Sequence, residues 1–193
     1  MRSWASASLA VALTALAAMA MPAQKSPAPS SPARNVQRFN ETMLAGLRPG
    51  RDAALRAVHL YKEPLTKEPE WQWQAVCSKQ LLSIDTDQNQ KIQTIRVFDA
   101  RWIPGDCDKY RPTPWRTGRG LRIGSPAPYV LQLYGEPDSR SPSTKNGQRL
   151  ELLYFAFDWA GPDVPQVMEV LCSLDTDGKP GRVVEITLAA SSL

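Results

Sequence analysis

Few residues in this chain have the type and spacing that chemistry needs. His59 is the only histidine, and the three cysteines, Cys77, Cys107 and Cys172, stand far apart. A histidine-rich metal centre or a C-x-x-C zinc site needs ligands at short spacing, which this sequence does not offer. Asp85-Thr86-Asp87-Gln88-Asn89 matches the opening acidic and amide positions of a calcium loop, with Ile92 at its hydrophobic position. The sixth position requires glycine and holds Gln90, and the twelfth requires a bidentate carboxylate and holds Arg96. The segment therefore reads as a turn. His59 lies in a helical run, and the matching position of the second half is Gln132, which cannot titrate. No nucleophile elbow, phosphate loop or dinucleotide fingerprint accompanies it. The sequence assigns no catalytic, cofactor or metal residue and predicts a protein that is not an enzyme.

An odd cysteine count leaves at least one thiol over. Cys172 lies on the apolar face of a period-two run and packs there as a small hydrophobe. Cys77 closes a strand-like run and Cys107 sits in the turn-rich Pro104-Gly105-Asp106 stretch, which makes them the favoured disulfide pair. A bridge closing that loop adds roughly 3 to 4 kcal/mol, and pairings through Cys172 stay open. Trp71 and Trp73 lie two apart, as sugar-stacking platforms do. They share their face with Ala75 and Cys77, a pattern that favours a core strand. Trp102, Trp115 and Tyr154 are less constrained by pattern and are the aromatics expected to face a partner.

The elements that position these residues follow from composition and periodicity. The chain has 193 residues, 42% apolar and 22% charged, which suits a folded protein. Its net charge of +4, from 23 basic and 19 acidic residues, is too small to imply nucleic acid. Arg2 followed by the apolar stretch Leu9 to Met21 and by Ala18-Met19-Ala20 marks residues 1–23 as a secretory signal peptide. Cleavage is expected to leave no transmembrane anchor, and no cysteine follows the stretch to carry a lipid. The expected location is the periplasm or the medium, an oxidising setting. Residues 24–35, rich in proline, serine and alanine, form a flexible tether.

An internal repeat organises the remainder. Leu47-Arg48-Pro49-Gly50 and a run ending Leu60-Tyr61-Lys62-Glu63-Pro64 return as Leu121-Arg122-Ile123-Gly124 and a run ending Leu133-Tyr134-Gly135-Glu136-Pro137. Ser83-Ile84-Asp85-Thr86-Asp87 likewise returns as Ser173-Leu174-Asp175-Thr176-Asp177. Asp52 and Ser125 are the expected helix N-caps, and Leu55, Val58 and Tyr61, or Val130, Leu133 and Tyr134, the apolar stripes. An earlier amphipathic helix is expected through Val36, Phe39, Met43, Leu44 and Leu47. Period-two alternation marks strands around Phe155, Val170 and Ile186, and the first half offers Trp71 to Cys77, Lys79 to Ile84 and Lys91 to Phe98 in their place. The predicted fold is α+β: two tandem repeats, each one or two helices packed on an antiparallel β-meander. The repeats occupy residues 36–104 and 119–193, with a linker at 105–118.

The string Leu121-Arg122-Ile123-Gly124-Ser125, then Val130, Leu133, Tyr134-Gly135-Glu136-Pro137, a strand rich in Tyr and Phe, and a hairpin closing on Asp177-Gly178-Lys179 resembles the SmpA/OmlA-type outer-membrane assembly module. Two such modules in tandem resemble the β-lactamase inhibitory protein fold, over roughly residues 36–193. The resemblance implies a surface offered to another protein without catalysis. The expected function is thus an exported interaction module of the bacterial envelope, in envelope assembly or as an inhibitor-like binder. Its expected partner is another envelope or extracellular protein, with no cofactor. A glycan- or cell-wall-binding module using aromatic residues is the second reading. A hydrolase built on a carboxylate pair hidden among the acidic residues is the third.

Overall fold

The computed structural model describes residues 40–67, 70–75, 79–99, 115–157 and 166–190. Alternating apolar and polar residues build its central strands, and the sheet is antiparallel throughout. In chain order the elements are α1 (Ala54–Tyr61), β1 (Glu70–Ala75), β2 (Gln80–Thr86), β3 (Ile92–Asp99), α2 (Ala127–Tyr134), β4 (Ser139–Lys145), β5 (Gln148–Phe157), β6 (Gln166–Leu174) and β7 (Pro180–Ala189). They form one seven-stranded sheet in the order β1-β2-β3-β7-β6-β5-β4.

Register explains where the core sits. Trp71, Ile84, Ile95, Leu188, Met168 and Phe155 stand opposite one another in a row across six strands. Trp73, Leu82, Val97, Ile186, Val170 and Leu153 form the next row on the same face. All twelve are buried, and Ala54, Ala57, Ala127, Val130 and Tyr134 of the helices belong to the same core. Cross-strand apolar neighbours of this kind are the unit of sheet stabilisation.

This continuity corrects the expected pair of tandem α+β repeats. β3 pairs with β7 over Thr94–Phe98, so the two meanders merge into one sheet. Among the described residues, helix is confined to two eight-residue segments. A separate three-stranded meander would leave an edge of unpaired backbone groups and a marginal core; joining the edges satisfies both and shares one core.

The local corrections have equally specific causes. Leu44 and Leu47 belong to a tight turn, not a helix: each donates its amide to the other's carbonyl at 3.0 Å. Ala45 (φ 54°) and Gly46 (φ 73°) supply the positive φ of a type I′ turn. Both leucines are fully buried, and their spacing of three imitates a helix face. In α1, Leu55 is 65% exposed and leaves the expected stripe, while Ala54 and Ala57 are buried and Val58 and Tyr61 pack against the core. The N-caps are Ala53 and Pro126. Asp52 and Ser125 instead accept the amides of Arg48 and Arg122 in the preceding turns. The structural counterpart of Asp175 is Asp87, not Asp85. Asp87 Oδ1 accepts the amides of Asn89 and Lys91, and Asp175 Oδ1 those of Asp177 and Lys179. These carboxylates hold the hairpin turns.

Candidate functional site

The helices cover the face that carries the two apolar rows. On the opposite face Leu81, Phe98, Glu185, Leu171 and Leu152 stand in one row across β2, β3, β7, β6 and β5. Glu185 is buried between Phe98 and Leu171, and a carboxylate there needs cationic partners. Arg96 Nε lies 3.4 Å from Oε1, and the Lys145 ammonium bonds Oε2. The same ammonium sits 4.6 Å from the centroid of the Phe98 ring, a cation–π contact.

Lys145 ends β4, the edge strand, whereas Glu185 lies three strands inward on β7. The β4–β5 hairpin must therefore bend over this face. Beneath it runs a groove of about 580 Å³, with Leu81 and Phe98 on one side and Asn146, Gln148 and Leu150 of the hairpin on the other. Ile123, Gly124 and Arg182 line both this groove and a second cavity of about 770 Å³. The second cavity is the mouth of the groove.

Arginine defines that mouth. Arg116, Arg122 and Arg182 line it together with Tyr129, and no acidic residue does so among the described residues. Arg116 and Arg122 face each other in an isolated antiparallel bridge, and Arg182 donates from Nη1 to the Gly124 carbonyl at 2.9 Å. Two serine hydroxyls beside the concavity are engaged with backbone. Ser125 Oγ accepts from Arg122, and Ser173 Oγ bonds the amide and carbonyl of Arg182. The arrangement is suited to holding anionic and apolar groups side by side.

The residues singled out in the sequence lie elsewhere. Trp71 and Trp73 are stacked 6.3 Å apart and buried in the core. Trp115 packs edge-on to Tyr61 at 5.8 Å, at the rim of that core. Tyr154 is half-buried on the opposite face, paired with Ser139 and Glu169. Trp115 and Tyr154 thus do not share a surface. Trp102, Cys77 and Cys107 lie outside the described residues, as do the expected signal peptide and tether. Cys172 is a buried free thiol, pushed up to about 12 by burial and then by Glu151. His59 is exposed in the last turn of α1. Sequence reasoning named Arg122 only as part of a packing and turn motif and gave no binding role to it, to Arg116 or to Arg182. Arg116-Thr117-Gly118-Arg119-Gly120-Leu121-Arg122, with arginine at every third position among small residues, was a legible signal.

No family model matches this chain, and neither does any curated protein. Two solved structures are distantly similar. A DUF4309 family protein from Bacillus subtilis is 12% identical with a TM-score of 0.43, covering 80% of this chain and 88% of that one. A cysteine-rich secretory protein from Staphylococcus aureus is 8% identical with a TM-score of 0.39, covering 77% of this chain and 47%, under half, of that one. Neither is an SmpA/OmlA module or a β-lactamase inhibitory protein. At these TM-scores the likenesses carry no argument about function.

Proposed function

We propose that this protein is an exported, non-catalytic interaction module of the bacterial envelope that receives an acidic segment of a partner protein. The segment lies in the groove under the β4–β5 hairpin, its apolar side chains on Leu81 and Phe98 and its carboxylates toward the arginine mouth. One observation carries the reading: a groove with Leu81, Phe98 and Leu150 in its walls, its Glu185 already paired with Arg96 and Lys145 and Asp99 at its edge, adjoins through Ile123, Gly124 and Arg182 a mouth lined by three arginines and, among the described residues, no acid. Charge complementarity of this kind selects partners and speeds their encounter. The resemblance of Leu121 to Pro137 to the SmpA/OmlA module supports the same class of function. The glycan reading has less support, because Trp71 and Trp73 are core residues and Trp115 is packed against Tyr61.

Quantitative capture from envelope extract tests the proposal. The wild-type chain should retain a protein that Phe98→Glu loses and that Leu55→Glu, on the exposed side of α1, keeps. Melting curves establish that both variants fold. A captured protein retained equally by all three chains would refute the groove as its binding site.

A further inference from the structure

We infer that the arginine mouth is a binding site in its own right for a compact, multiply charged oxyanion, an organic phosphate or a polycarboxylate. Like charges directly opposite each other in a sheet pair are destabilising, and Arg116 and Arg122 stand opposite each other in their bridge. Neither has an ion-pair partner among the described residues. Arg182, exposed at the same mouth, is steadied through one Nη1 bond to Gly124, which leaves further guanidinium hydrogens for a ligand. An oxyanion between these groups converts repulsion into charge-assisted hydrogen bonds.

The chemistry of the walls narrows the ligand. α2 begins at the mouth, but Pro126 and Pro128 carry no amide hydrogen, so backbone donors contribute little there. Recognition falls to guanidinium forks, whose planar geometry matches paired oxygens of phosphate or carboxylate. A cavity of about 770 Å³ is far larger than one halide ion requires and falls in the range of small-molecule sites. Tyr129, half-buried in the wall, offers a ring face for a carbon skeleton carrying the charges. The inference shares its mouth with the partner reading, and a bound oxyanion would compete with the partner's acidic segment. Binding of the oxyanion itself needs no partner.

Titration calorimetry on the intact chain alone therefore tests this inference separately from the partner reading. Pyrophosphate and citrate are the probes, with sodium chloride as the monovalent control. The expected result is one saturable site for at least one probe, weakened about ten-fold by Arg116→Gln and by Arg122→Gln and unaffected by Leu55→Ser. Preference for pyrophosphate identifies a phosphate ligand, and preference for citrate a carboxylate. Without ligand, Arg116→Gln should melt no lower than the wild type, because it removes a like-charge pair, so its weaker binding is not misfolding. Saturable binding of neither probe, or undiminished binding in both arginine variants, would overturn the inference.

Discussion

Tyr134 donates its phenolic hydrogen to Glu41 at 2.8 Å, across 93 residues of sequence, inside the core. The bond ends a directional chain. Leu121 donates its amide to Thr117 Oγ1, the Thr117 hydroxyl stands 2.7 Å from the Tyr134 oxygen, and Tyr134 donates to Glu41. Glu41, 2% exposed, also accepts the amides of Thr42, Met43 and Arg119. A buried carboxylate becomes tolerable when several donors surround it, and this one ties the segment before α1 to the turn before α2. Burial, and then the Glu41 charge, hold the Tyr134 phenol well above its ordinary value of 10.0.

Glu41→Gln should destabilise the protein by about 3 kcal/mol, since an amide turns one acceptor into a donor facing donors. Tyr134→Phe should cost about 1.5 kcal/mol. Gly118→Ala offers an independent check, because its methyl would stand 2.7 Å from Glu41 Oε1 and displace the carboxylate. Urea unfolding midpoints measure all three. Wild-type stability in Glu41→Gln would contradict the account of the network.

The two helices end in the same backbone conformation with different residues. Lys62 has φ 69° and ψ −150°, and Gly135 has φ 80° and ψ −161°. That region is nearly confined to glycine. Lys62 is held there by its amide bond to the Val58 carbonyl and by the Trp73 indole, which donates to its carbonyl at 3.0 Å. Both bonds are to backbone and survive a change of side chain. Lys62→Gly should raise stability by about 1 kcal/mol and Gly135→Ala should lower it by a similar amount. Thermal melts of the two variants check the pair.

Asp85 stands directly opposite Glu70 in the β1–β2 register. Burial first, and the Glu70 charge second, raise its carboxyl above the ordinary 3.8, partly countered by Arg96. The folded state therefore binds more protons than the unfolded state just above pH 3.8, and stability falls as pH rises through that window. Asp85→Asn should be more stable than the wild type at pH 7, with the advantage vanishing near pH 3. Denaturation at both pH values measures the difference, and an advantage that is larger at pH 3 would reverse the sign of the argument.

Much of the sheet is legible because its strands are half-buried. Leu82 and Ile84, Ile95 and Val97, Met168 and Val170, and Ile186 and Leu188 are spaced at period two, and each pair lies on the buried face. β4 carries no such signal: Ser139–Lys145 is polar, contains Pro142 and is mostly exposed, as suits an edge strand. Leu44 and Leu47 misled because spacing alone does not separate a helix face from the flanks of a tight turn. The two short helices were visible in the runs ending at Tyr61 and Tyr134, yet the single sheet was not, since the pairing of Val97 with Ile186 that merges the halves leaves no local trace. The mouth stayed hidden for a related reason. Arg182 joins Arg116 and Arg122 only through the fold, and isolated surface arginines read as solvated charge.

The central claim is that the groove beneath the hairpin holds an acidic segment of a partner. A photo-crosslinking residue in place of Asn146, at the groove's lip, measures this most directly when compared with the same residue in place of Leu55 on α1. The account predicts an adduct at position 146 and none at 55, with the crosslinked partner peptide rich in aspartate or glutamate, and loss of that adduct in Phe98→Glu. No adduct at 146, equal adducts at both positions, or a basic crosslinked peptide would contradict it.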